Sequence, residues 1–254
     1  MMKDKSRVAW VTGGGTGIGQ ACVEMLAARG WSVAVTSRRA ENVEAAIKSA
    51  VAKGGDAARL LPVPLDVADA AAVEAAAKTI VGKFGRIDLL VNSAGVNVRA
   101  RNWPDVTNEG WDQVIGINLD GLMYCMRAVL PAMTAQKEGT IVNVSSWAGK
   151  FVSPLTGPAY VASKHAVVAL TESFNMENAK NNLRACCICP GEVATPILKS
   201  RPVVPTVEEQ ARMLQAEDVA SIIVYVAEVP QHVCVNEILI SPTHNRSYIA
   251  HTGL

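Results

Sequence analysis

"VTGGGTGIG", Val11–Gly19, is the stretch on which the fold reading turns. It follows a short apolar run, "RVAWVT" from Arg7, and opens a longer apolar segment with helical spacing. Glycines at such a junction let the backbone come close to a ligand, and the first turn of a helix offers N–H groups with no intrahelical acceptor. Gly13, Gly17 and Gly19 are spaced G-x3-G-x-G, so the dinucleotide fingerprint G-x-G-x-x-G is not met: Ile18 stands where its third glycine would fall. The loop, with Gly15 and Thr16 inside it, reads as a pyrophosphate cradle; the competing reading is a strand-to-helix turn with no ligand.

Outward from the loop, β-rich runs and helical stretches alternate. After the first strand come a helix from about Gly17, "SVAVTS", a helix from about Glu41, "ARLLPVPLD", a helix from about Asp69 and "IDLLVNSAG". A long helical zone from about Asn108 to Ala135 leads into "GTIVNVSS", a helix near Pro158–Ala179, "LRACCICPG", a helix near Glu217–Glu228 and "VNEILIS". Strands that are apolar throughout belong to a parallel sheet covered on both faces. The expected fold is therefore α/β: a doubly wound, parallel seven-stranded sheet of Rossmann type, with ligands at the carboxyl ends of the strands. At 254 residues the chain is expected to form one domain, residues 1–254.

Composition narrows the function. A formal net charge of +1 leaves no field for a polyanion, so nucleic acid is not an expected partner. The N-terminus has no signal-peptide pattern, and no run is read as approaching the ~20 apolar residues needed to cross a bilayer. A cytoplasmic protein without membrane contact is expected. Among six cysteines, only Cys186, Cys187 and Cys189 cluster; they lack paired C-x2-C spacing and lie in an apolar strand, so they read as core. The four histidines lack metal-ligand spacing, and no metal is expected.

The second strand ends in Ser37, Arg38 and Arg39. An NAD site places a carboxylate there for the ribose hydroxyls, whereas guanidinium groups suit the 2′-phosphate of NADP. NADP is expected and NAD is less favoured. In "AYVASKHA", Ala159–Ala166, Tyr160 and Lys164 share a helix face one turn apart. A free tyrosine, with a pKa near ~10, is a poor base at neutrality, and a nearby cation is expected to lower that value.

With these residues quoted, the chain resembles the short-chain dehydrogenase/reductase family nearly end to end. "TGGGTGIG" matches its TGxxxGxG, Asp66 in "LDV" its acidic residue near the adenine, and "NSAG" from Asn92 its NNAG, with Ser93 as a departure. Asn118 in "GINLDG", Ser146 in "IVNVSS", "YVASK" and "PGEVAT" from Pro190 continue the series in order. The resemblance implies a catalytic tetrad of Asn118, Ser146, Tyr160 and Lys164, with Ser145 a rival for the serine. It implies cofactor contacts from Gly13, Gly15, Thr16, Gly17, Ile18 and Gly19, from Ser37, Arg38 and Arg39, and from Asp66 and Val67. Asn92, Ala94 and Gly95 follow, then Tyr160 and Lys164, then Pro190, Gly191, Val193 and Thr195. Tyr160 would donate the proton, Lys164 would hold the nicotinamide ribose, Ser146 would stabilise the growing charge, and Asn118 would anchor a water.

The implied activity is hydride transfer between NADP(H) and a small carbonyl or alcohol substrate. The alternative is a cofactor-binding sensor without turnover. Three further expectations concern the periphery. The stretch Val193–Gln210, carrying Pro196, Pro202 and Pro205, is read as a substrate-covering loop or a plain connection. Trp103 and Trp111 are read as pocket lining or as packing at a helix entry, and Arg99 and Arg101 as cations for a substrate carboxylate or as solvated charge. The helices around Val114–Met133 and Pro158–Ala179 are apolar on nearly every side and call for a second partner, a homodimer or homotetramer in the resemblance. The C-terminal segment looks like that of the branch containing NADP-dependent 3-hydroxy acid and serine 3-dehydrogenases.

Overall fold

Seven short hydrophobic runs become the strands of one parallel sheet in the computed structural model, which describes residues 7–246, 248 and 249. In chain order the elements are β1 (Val8–Thr12), α1 (Gly17–Ala28), β2 (Ser32–Thr36), α2 (Ala40–Ala52), β3 (Leu60–Pro62), α3 (Ala70–Phe84) and β4 (Leu89–Asn92). Then come α4 (Asn108–Ile115), α5 (Gly121–Gln136), β5 (Gly139–Val144), α6 (Pro158–Asn178), β6 (Leu183–Pro190), α7 (Val207–Ala211), α8 (Ala216–Glu228) and β7 (Glu237–Ile240). The strand order is β3-β2-β1-β4-β5-β6-β7, and every pairing is parallel. The order reverses between β1 and β4, the point where a doubly wound sheet opens a crevice for a ligand.

Strand side chains alternate between two cores, which is why the strands are apolar throughout. Val11, Val35, Val91, Val142 and Ile188 face one side, where Leu26, Val43 and Ile223 of α1, α2 and α8 cover them. Trp10, Ala34, Leu90, Ile141 and Cys187 face the other, under Ile80, Val129 and Val167 of α3, α5 and α6. The cysteine run follows the same alternation: Cys186 lies in the first core, Cys187 and Cys189 in the second. Burial pushes the thiols of Cys22 and Cys125 up to about 12, as expected of core cysteines.

The long helical zone departs from its sequence reading. It is continuous from Asn108 to Gln136, and its length and mean hydropathy of 1.2 suffice, by length and composition only, to cross a bilayer. Counting uninterrupted apolar residues missed this, because Asn118, Asp120 and Arg127 punctuate the run. The same helix lays Leu122, Cys125, Met126, Val129 and Met133 into the sheet core. It is not uniform: Gly116–Asp120 forms one π-helical turn between α4 and α5. Such turns widen the backbone hydrogen-bond ladder and recur at functional sites. The proline-bearing stretch after β6 forms a 3-10 turn at Pro196–Ser200 and the short α7.

Candidate active site

The carboxyl ends of β1, β4, β5 and β6 border a cavity of about 1430 Å³. Its floor at one end is the glycine loop. Gly13 has φ +65°, and a Cβ there would lie 2.7 Å from the backbone of Ser93 and Ala94. No residue but glycine permits that close approach. The first turn of α1 has no side-chain cap and no acidic residue, so its N–H groups and positive dipole end are left for an anion.

Arg38 and Arg39 stand at the rim after β2, both lining the cavity. Arg39 Nε lies 3.9 Å from Glu41 Oε1, both groups largely exposed, which is a weak pair in water. The donor set, helix N-terminus plus guanidinium groups, fits the phosphates of NADP(H). Asp66, Val67, Ala94 and Gly95 line the middle of the cavity, and Pro190, Gly191, Val193 and Thr195 its far wall. Gly15, Gly19 and Asn92 do not reach that wall. Gly15 and Gly19 are buried behind the loop, and Asn92 donates from Nδ2 to Asn143 Oδ1 at 2.9 Å. Asn143 in turn donates to Thr171 Oγ1 at 2.9 Å, so this chain of amides ties β4 and β5 to α6.

Helix α6 carries Tyr160 and Lys164 to the cavity, beside Ser146 at the end of β5. The two serines separate by hydrogen bonding. Ser145 is buried and donates to the Lys164 carbonyl at 2.9 Å. Ser146 accepts from Ala148 N at 3.1 Å, and its hydroxyl lines the cavity with the Tyr160 phenol, whose ionised form it favours. Asn118 is fully buried: Oδ1 accepts from Val96 N at 2.8 Å and Nδ2 donates to Val96 O at 3.0 Å and Ser163 Oγ at 3.3 Å. Its side chain braces the segment after β4 and is not on the cavity wall.

The electrostatics differ from the sequence expectation. Lys164 Nζ sits 5.6 Å from the Tyr160 ring centroid and donates to Val144 O at 2.9 Å. Burial dominates both groups, because a low-dielectric site penalises whichever form is charged. It pushes the Tyr160 phenol up, with Ser146, Arg201 and Arg101 opposing, and pushes Lys164 down to about 8. Without bound partners, the phenol is held protonated.

The Lys164 shift has a measurable sign. Its pKa falls from 10.5 in an unstructured chain to about 8 in the fold, so holding the ammonium charged costs folding free energy below pH 8. That cost is relieved as pH rises from about 8 towards 10.5, where the unfolded chain binds more protons than the folded one. Relative to Lys164→Met, the wild type is expected to gain on the order of 3 kcal/mol between pH 7 and pH 10.5. Urea unfolding of both proteins across this range checks it; a constant difference would refute the buried-ammonium account.

The periphery sorts differently from its sequence reading. Trp103 is 80% exposed and does not line the cavity, whereas Arg101 is buried on its wall. The solvated-charge reading of Arg101 fails because the loop after β4 folds back against the start of α6: Asn97 Nδ2 donates to Thr156 O at 2.9 Å. Glu192, Arg201, Arg246 and Tyr248 also line the cavity and escaped sequence reasoning. Glu192 lies inside the quoted "PGEVAT", but nothing local links it to Arg246, whose Nε donates to Glu192 Oε2 at 2.8 Å across 54 positions. Ser247 and residues 250–254 of the C-terminal segment lie outside the described residues.

A family model described as short chain dehydrogenase matches residues 7–203. The chain is 32% identical over 231 residues to a 3-oxoacyl-[acyl-carrier-protein] reductase of Thermotoga maritima, covering 89% of this chain and 92% of that protein. Among solved structures, levodione reductase superposes with a TM-score of 0.86 at 29% identity, covering 92% of this chain and 96% of that one. A metagenomic short-chain oxidoreductase in complex with NADP superposes with a TM-score of 0.80 at 30% identity, covering 95% and 99%.

Proposed function

Since the chain belongs to the short-chain dehydrogenase/reductase family, we propose that it uses NADP(H) to interconvert a small carbonyl compound and its alcohol, with Tyr160 as the proton-transfer group. The protein is an oxidoreductase acting on CH–OH groups. The observation that carries the specific reading is a single cavity, which joins an anion-receptive glycine loop and two arginines to Ser146, Tyr160 and Lys164. NADP complexes among similar structures support the cofactor. When bound, the nicotinamide supplies or accepts the hydride.

The chain's own residues do the rest. Tyr160, held neutral by burial, donates its phenolic proton to an oxygen that is gaining negative charge. Ser146 donates a hydrogen bond to the same oxygen, worth most where water is excluded. Lys164 holds the ribose and, charged, favours the phenolate that remains on Tyr160. Asn118 acts by position: its amide holds the Val96 backbone, and the π-helical turn around it keeps the segment after β4 against α6. A sensor without turnover is the weaker reading, because a protonated tyrosine beside a serine and a buried lysine is a costly arrangement for binding alone.

The enzyme works in the cytoplasm as one domain, in a homodimer or homotetramer. In support of the assembly, Tyr124, Ala128, Val168 and Leu170 on α5 and α6 are only partly buried, and Met176 is 80% exposed. Its partner is a small molecule, with no nucleic acid, membrane or metal involved. The test is NADPH consumption with a panel of aldehydes, ketones, keto acids and acyl thioester analogues. Oxidation of NADPH with at least one carbonyl compound is expected; none with any would overturn the reading.

A further inference from the structure

Arg101 is a buried cation with no carboxylate to balance it. It is only 5% exposed, and among the described residues no acidic group lies within ion-pair distance. Its guanidinium is held by neutral groups. Nη2 donates to the Ser200 carbonyl and to Ser200 Oγ at 3.3 Å, Nη1 reaches Leu155 O at 3.5 Å, and the buried Nε has no hydrogen-bond partner. Burying such a charge is costly unless an anion joins it.

The placement is built in. Gly157, at φ +75°, caps the start of α6, and a Cβ there would lie 2.2 Å from the Arg101 carbonyl oxygen. Glycine at that point lets the Arg101 backbone lie directly on the helix that carries Tyr160. Arg201, at the end of the 3-10 turn after β6, lines the same cavity with its side chain 15% exposed. Both positive charges act on the Tyr160 phenol, and they repel one another.

Nearby acids do not make up the deficit. Glu192 is shared between Arg201 Nη1 at 2.7 Å and Arg246 Nη2 at 2.5 Å, and Arg246 also takes Glu209 at 2.9 Å. Two guanidiniums thus share these two carboxylates, and the charge of Arg101 is left unbalanced near the phenol. The phosphates of the cofactor have their own donors, in the first turn of α1 and in Arg38 and Arg39. We propose that Arg101 and Arg201 receive a carboxylate of the substrate, so that the enzyme acts on small keto acids and hydroxy acids. The oriented fork of a guanidinium suits a carboxylate and fixes which carbonyl faces Tyr160. This rests on the oxidoreductase reading above, and deepens it.

The test has two arms, both on the NADP-saturated protein. In the first, malonate and its uncharged diamide are titrated calorimetrically into the wild type, Arg201→Gln and Arg101→Gln, each checked for an unchanged melting profile. Malonate is expected to bind the wild type at least tenfold more tightly than the diamide. Arg201→Gln is expected to lose about tenfold of that, with NADP affinity shifted by less than about twofold. Equal binding of malonate and diamide, or parallel losses of malonate and NADP, would overturn the carboxylate site. Arg201→Gln decides the point if Arg101→Gln fails to fold.

In the second arm, NADPH consumption is followed with a 3-oxo acid and its methyl ester. A preference for the acid of about 100-fold in kcat/KM, reduced at least tenfold in Arg201→Gln, is expected. Equal use of acid and ester overturns the substrate class. Absence of any NADPH consumption overturns the oxidoreductase reading, while malonate binding still reports on the arginines by itself.

Discussion

Tyr160→Phe is expected to lower kcat by about 10³-fold, or about 4 kcal/mol of transition-state stabilisation, while leaving NADP(H) affinity within about twofold. The substitution removes one oxygen and keeps the ring that packs 5.6 Å from Lys164 Nζ, so the cavity wall is preserved. What is lost is the group whose proton burial holds in place. Single-turnover NADPH oxidation isolates the chemical step, and a fluorescence titration reads cofactor binding separately. Activity within tenfold of wild type would transfer the donor role elsewhere, with Ser146 the nearest hydroxyl. Loss of NADP(H) binding together with activity would make Tyr160 a structural residue.

Arg38→Asp is expected to lower the NADP(H)-over-NAD(H) preference by about 10³-fold. A guanidinium-to-phosphate hydrogen bond contributes roughly 1.5–3 kcal/mol, and the introduced carboxylate repels the phosphate in addition. The same carboxylate suits the ribose hydroxyls of NAD, so NAD(H) affinity is expected to hold or improve. Arg39 remains in the variant on the same exposed rim and offers partial compensation. Raising salt is expected to narrow the wild-type preference, since the rim arginines are exposed to solvent. Equal affinity changes for the two cofactors would remove the 2′-phosphate argument.

Much of this molecule was legible in its sequence because the relevant physics is local. Strand and helix periods lie within windows of a dozen residues, and every expected strand appears in the sheet, though β3 shrinks to Leu60–Pro62. The glycine loop, the rim arginines and the Tyr160–Lys164 pair are likewise short-range patterns, and all three features reach one cavity. Where the reading went astray, it turned on environment. Lys164 was expected to lower the phenol's pKa, yet the groups that favour the phenolate are Ser146, Arg201 and Arg101, and burial outweighs them; desolvation depends on every neighbour packed around the phenol. Asn92, Gly15 and Gly19 carry the right residue types but are buried and do not line the cavity.

What the sequence by itself determined is the α/β architecture, the family and the residue types at the carboxyl ends of the strands, because alternation and spacing are properties of contiguous chain. What only the tertiary structure decided is which hydroxyl of the Ser145–Ser146 pair is free to act in the cavity with Tyr160, that Asn118 is spent on Val96, and that Arg101 is a buried, unbalanced charge. Those outcomes depend on contacts between residues such as Arg101 and Ser200, far apart in the chain, where charge and burial are set by folding and by no local pattern.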